Sequence, residues 1–149
     1  MDQPSAEIPK TTDRKWLRNY LPMWIGQAVS LLGSGLVQFA LVWYLTDQTG
    51  SATVLAMATL VALLPQVFLG PFSGAVVDRL NRKAVMIVSD SLVALTTLAL
   101  MVSFMMGSIQ VWHIYLAMFL RSLFGTFQMP AMSASTTLMV PPEQYSRLG

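Results

Sequence analysis

Residues 52–106 read ATVLAMATLVALLPQVFLGPFSGAVVDRLNRKAVMIVSDSLVALTTLALMVSFMM. Two long apolar runs meet at one polar corner, Asp78-Arg79-Leu80-Asn81-Arg82-Lys83. Each run supplies the roughly 20 residues that a helix needs to cross a bilayer. The pattern repeats outward from this pair. Uncharged stretches of about 20 to 30 residues lie between Arg18 and Asp47, Asp47 and Asp78, Asp90 and Arg121, and Arg121 and Glu143. Spans are therefore expected at about Leu21 to Leu45, Ala52 to Val77, Ala84 to Met106 and Val111 to Met139. Residues 1–20 form a polar tail ending in a basic and aromatic border, Lys15 to Tyr20. The spans are expected as helices, because so short a chain with unbroken apolar runs could hardly close a barrel.

Composition agrees. Of 149 residues 54% are hydrophobic and 11% charged, where a soluble domain carries roughly 25% charge. A soluble enzyme, a disordered tail and a disulfide scaffold are excluded. The absence of cysteine removes disulfides and thiolate metal sites, and a net charge of +2 gives no reason to expect a nucleic-acid partner. No metal or cofactor site is expected. The first apolar run is too long for a signal peptide and passes through Trp43 and Tyr44 without a small-residue cleavage site.

The basic residues set the orientation. Lys10, Arg14, Lys15 and Arg18 precede the first span, and Arg79, Arg82 and Lys83 sit between the second and third. The turns Thr46 to Ser51 and Gly107 to Gln110 contain neither Lys nor Arg. The positive-inside bias then places the N-terminal tail, the Asp78–Lys83 corner and the end with Arg147 in the cytoplasm. The short loops make consecutive helices antiparallel neighbours. The last residues end without an anchor or a polar closing segment, a hint that the chain is a piece of something longer.

The polar residues within the spans are the candidates for function. Gln27, Ser30, Ser34 and Gln38 share one helical face, with Gly26, Gly33 and Gly35 beside it. That stripe reads either as helix packing or as a cavity wall offering hydrogen bonds to a passenger molecule. Pro65, Pro71 and Gly70-x-x-x-Gly74 read as a bent helix with a close-contact face, or as a flexible point. Asp90 lies about 10 Å in from the cytoplasmic end, and Arg121 about 15 Å in from the outer end. Each charge needs a partner inside the membrane, and the two are expected to interact directly or through water. Their pairing reads as structural or as part of a proton path. Arg121, Gly125, Gln128 and Met132 share a face of the fourth span, a second polar wall, and Pro130 should bend it. His113, between Trp112 and Tyr115, reads as an interfacial residue. A minority of the many methionines could offer a pliable surface to varied apolar ligands.

The ordered corner Gly74-x-x-x-Asp78-Arg79-x-x-Arg82-Lys83 carries more charge than topology requires. It resembles the signature of the major facilitator superfamily between helices 2 and 3, G-x-x-x-D-R-x-G-R-K, departing only where Asn81 replaces Gly. Asn also tolerates the left-handed backbone that a tight turn can need. Arg121 and Gly125 match the family's helix-4 pattern, although Phe124 stands where Gln is usual. Within the superfamily, Trp24 to Ser30, Tyr44 to Ala52, Gly70-Pro71, Arg121-Ser122, Pro130-Ala131 and Val140 to Gln144 resemble the macrolide-efflux branch of drug antiporters. The resemblance implies an all-α exporter of twelve helices in two halves, driven by the proton gradient of the bacterial cytoplasmic (inner) membrane. This chain would supply helices 1 to 4 of the first half. The implied partners are the lipid bilayer, a hydrophobic drug, protons and the remaining transporter helices. Asp78 would hold the cytoplasmic side shut against a helix of the second half, supported by Arg79, Arg82 and Lys83. Gln27, Ser30, Ser34, Gln38, Arg121 and Gln128 would line the route, with Asp90 and Arg121 as the coupling candidates. A contrasting reading makes the chain a self-contained four-helix oligomer like the small multidrug exporters, or a non-transporting membrane subunit. The exporters of that kind resemble a pattern with a Glu in the first helix, where this sequence has no acid.

Overall fold

A computed structural model describes residues 15–139, with side chains from 21 to 135. Four helices follow one another: α1 Lys15–Thr49, α2 Ala52–Arg79, α3 Arg82–Met105 and α4 Val111–Met139. A helix stands at each of the four expected spans. The first helix begins six residues earlier than expected, because the basic and aromatic border continues the helix instead of preceding it. It passes through Pro22 and ends four residues later, at Thr49. Residues 1–14 and 140–149, including Arg147, lie outside the described residues.

Local chemistry sets the ends. Gly50, with φ 57°, turns the chain out of α1, a conformation that side chains other than Gly rarely adopt. Ser51 then caps α2 by accepting from the Val54 N–H. At the basic corner Asn81 has φ −70°, so it is not left-handed as its place in the signature suggests. Its Oδ1 instead accepts from the backbone N–H groups of Lys83 (3.1 Å) and Ala84 (3.3 Å), capping α3. Gly107, with φ 64°, ends α3. At the start of α4 the Gln110 N–H donates to His113 Nδ1 (3.1 Å), and Trp112 Nε1 donates to the Gln110 side chain (2.8 Å). His113 thus helps to shape a helix start.

The fourth helix is the hub. It packs along both α2 and α3, and α1 rests more lightly on α2 and α4. Tyr115 Oη donates to the Val54 carbonyl (3.1 Å), and Ser122 Oγ donates to the Ala62 carbonyl, stitching α4 to α2. Two apolar clusters form. The one far from the basic corner gathers Leu41 and Leu45, Ala58, Leu100, Ile114, Ala117 and Met118 from all four helices. The one near the corner joins Val77, Met86 and Ala131. Between these clusters lies a layer of polar side chains.

On the outside, Val29, Leu32, Leu36, Phe39 and Trp43 of α1 are exposed at helical spacing. A surface this apolar suits lipid or other apolar helices and not water. Among the described residues α1, α2 and α3 are long and apolar enough to cross a membrane. The fourth expected span is equally long but falls short in apolarity, because it carries Arg121, Ser122 and Gln128 toward its neighbours and Thr126 bonded within its own helix. Burial within the bundle is what makes such a helix tolerable. Among the described residues Gly70 and Gly74 make no close helix contact. A Cβ added at either would meet nothing within 4 Å, and the same holds for Gly26, Gly33, Gly35 and Gly125. The helix nevertheless runs unbroken through Pro65 and Pro71.

Candidate transport site

The polar layer is built around Asp90. Gln27 Nε2 donates to Oδ2 (2.9 Å), Ser30 Oγ to Oδ1 (2.9 Å) and Gln128 Nε2 to Oδ1 (2.6 Å). Gln128 Nε2 also lies 2.9 Å from Gln27 Oε1. The spacing that put Gln27 and Ser30 on one face of α1 aims both at the same carboxylate of α3. Gln128 of α4 completes the cluster. Three neutral donors from two helices hold a membrane-embedded anion, and Gln27 and Gln128 are buried.

Arg121 goes elsewhere. Nη1 donates to Thr97 Oγ1, and Nη2 to the Ser34 carbonyl (3.2 Å). The expected direct pair between Asp90 and Arg121 does not form. Thr97 stands seven residues beyond Asp90, two helical turns along one face of α3, so each charge meets its own neutral partners. The two still border one groove of about 370 Å³ between α1 and α3, together with Ser30, Ser34 and Thr97. Ser34 contributes its carbonyl to Arg121, where the sequence had suggested only its hydroxyl.

A second cleft, of about 470 Å³, opens between α1, α2 and α4. Ser34, Gln38, Arg121 and Gln128 line it, and Gln66 and Thr59 of α2 join them. Gln27 lines neither cleft. Gln66 and Thr97 were missed, although both carried a signal. Gln66 is the one carboxamide in the apolar run of α2, and Thr97 shares the face of Asp90.

The basic corner is clasped through Arg82. Nη2 meets Asp78 Oδ1 (3.3 Å), and Nη1 donates to the Ala134 carbonyl of α4 (2.8 Å). The Asp78 side chain is 65% exposed, so the ion pair itself is screened. The bond to Ala134 is the contact that ties the corner to the hub helix. Asp78, Arg79 and Lys83 are exposed, and Gly74 is half-buried.

The sequence model of the Major Facilitator Superfamily matches residues 23–148. The chain belongs to the major facilitator superfamily. It is 40% identical over 132 residues to macrolide efflux protein A of Streptococcus pyogenes, covering 89% of this chain and 33% of that protein. With macrolide efflux protein A of Enterococcus faecalis it shares 38% over 98 residues, 66% of this chain and 30% of the relative. An uncharacterized MFS-type transporter of Bacillus subtilis, YkuC, is 27% identical over 131 residues, 87% of this chain and 30% of the relative. The chain thus spans about a third of the length of the curated relatives it matches. No solved structure gives a significant match. As a superfamily member with apolar helices of spanning length, it is a multi-pass membrane protein.

Proposed function

We propose that these helices are the first part of a secondary transporter that exports hydrophobic drugs, macrolides first among them, in exchange for protons. The observation that carries this reading is the Asp90 cluster: a carboxylate inside the spans, held by Gln27, Ser30 and Gln128 and by no cation among the described residues. A carboxylate locked to an arginine takes up a proton only by breaking an ion pair. Asp90 gives up hydrogen bonds alone. Protonation removes acceptor capacity and turns one oxygen into a donor, so the contacts from α1 and α4 must rearrange. Because α1 packs lightly, that rearrangement moves it relative to α3 and α4. Each proton entering adds about 2.3 kcal/mol per 100 mV of membrane potential.

The relatives' names support macrolides as cargo, and the polar clefts flanking α1 support a route through the bundle. The basic corner and the N-terminal tail face the bacterial cytoplasm in this reading. Asp78 keeps most of its carboxylate free to engage helices outside this chain as access alternates. The test uses the transporter as its native gene encodes it, reconstituted in liposomes with an imposed proton gradient. Asp90→Asn is expected to abolish gradient-driven erythromycin transport while leaving erythromycin binding intact. Undiminished transport by that variant overturns the assignment.

A further inference from the structure

The cleft between α1, α2 and α4 holds polar groups that the Asp90 cluster does not use. Gln38 of α1 and Gln66 of α2 both border it, and neither side chain makes a hydrogen bond among the described residues. Counted from the helix ends that face the Gly50 turn, Gln38 lies about 16 Å down α1 and Gln66 about 21 Å down α2. They therefore sit at similar depth, in the middle of their helices. Gln66 is exposed and Gln38 half-buried, so both carboxamides are open to whatever enters the cleft. Two from different helices bordering one space offer an occupant both hydrogen-bond donors and acceptors.

The rest of the lining says what kind. Leu31, Leu63, Met118 and Met129 add apolar wall between these groups and the hydroxyls of Thr59 and Ser122. Arg121 reaches the cleft after committing two donors, to Thr97 and Ser34, and a guanidinium has five. No Asp or Glu lines the cleft among the described residues. A basic amine placed here finds no counter-ion and meets a guanidinium. Carbonyl, ether and hydroxyl oxygens find donors. The volume of about 470 Å³ falls in the range that holds a drug-sized molecule.

We propose that this cleft reads the oxygen-rich face of an apolar, uncharged ring system, with Gln38 and Gln66 as the specificity-determining groups and Arg121 beside them. This rests on the exporter reading and names the part of the substrate that is recognised. The amine of a macrolide is not the recognised group.

The test titrates the transporter, as its native gene encodes it and in lipid nanodiscs, with erythromycin and with its sugar-free aglycone. The aglycone keeps the lactone, ketone and hydroxyl oxygens and lacks the amine. Both ligands are expected to bind. Gln38→Leu and Gln66→Leu should each weaken both by about 5-fold, one lost hydrogen bond, with thermal stability unchanged because neither side chain has a hydrogen-bond partner among the described residues. Binding of erythromycin without binding of the aglycone overturns the proposal, as does unaltered affinity in both variants. Failure of the exporter reading looks different: the unaltered protein then binds neither ligand. Gln66→Cys decides that case, read against the labelling of the unaltered transporter. Reactivity toward a water-soluble maleimide above that of Val67→Cys on the exposed apolar surface supports an open polar site, and equal reactivity overturns it.

Discussion

Asp90 and Arg121 solve one problem in opposite ways. Both are charges inside a bundle that faces lipid, and neither is neutralised by the other. Asp90 is the more fully engaged: Gln27, Ser30 and Gln128 converge on its two oxygens from helices on either side. Arg121 is only partly engaged, by one hydroxyl and one backbone carbonyl, and it borders both clefts. The difference teaches what each can do. The anion acts as a clasp between α1, α3 and α4, so a change in its charge is felt as a change in packing. The cation borders both clefts with donors to spare.

The comparison breaks if removing the carboxylate leaves the bundle unharmed. Asp90→Leu strands three donors at about 1 kcal/mol each, so unfolding free energy should fall by about 3 kcal/mol, read from tryptophan fluorescence during thermal or denaturant melting. Asp90→Asn keeps one acceptor oxygen and should lose less than half of that. A smaller effect, about 2 kcal/mol, is expected for Arg82→Ala, which removes a charged donor from the Ala134 carbonyl. Smaller still is the coupling between neighbours. A double-mutant cycle on Asp90 and Gln128 should give about 1 kcal/mol, and one on Asp90 and Arg121 below about 0.5 kcal/mol. Equal couplings would restore the direct pair that the geometry lacks.

Much of this arrangement was legible in the residues. Apolar run length and the Lys and Arg pattern located all four helices, because in lipid the backbone must satisfy its own hydrogen bonds and helices are the local way to do so. The stripe Gln27-Ser30-Ser34-Gln38 and the buried charges identified the polar layer. The partnership between them was not legible. Depth estimates placed Asp90 and Arg121 within reach of one another, but depth says nothing about rotation around the helix axis. Rotation turned Asp90 toward Gln27 and Gln128 and left Arg121 to Thr97. Glycine spacing is a different case: Gly70-x-x-x-Gly74 lies on one face of α2, and a Cβ at either would meet none of the described residues within 4 Å. Asn81 was read through its place in the signature, whereas its local chemistry, a short side chain ahead of two free helix N–H groups, favours the cap it makes.

Asp78 and Arg82 sharpen the contrast at the basic corner, where the smallest stability effect is expected. Their contact is an exposed i,i+4 ion pair at 3.3 Å, and pairs of that kind contribute at most about 0.5 kcal/mol. Asp78→Ala should therefore shift unfolding by less than about 0.5 kcal/mol, several-fold less than Arg82→Ala. The two residues differ because Arg82 also reaches the α4 backbone, whereas Asp78 has no other partner among the described residues. If Asp78→Ala nonetheless abolishes erythromycin transport by the intact transporter, its work lies in contacts beyond these four helices. If stability falls as far as in Arg82→Ala, the corner is held by the ion pair, and the bond to the Ala134 carbonyl is not its anchor.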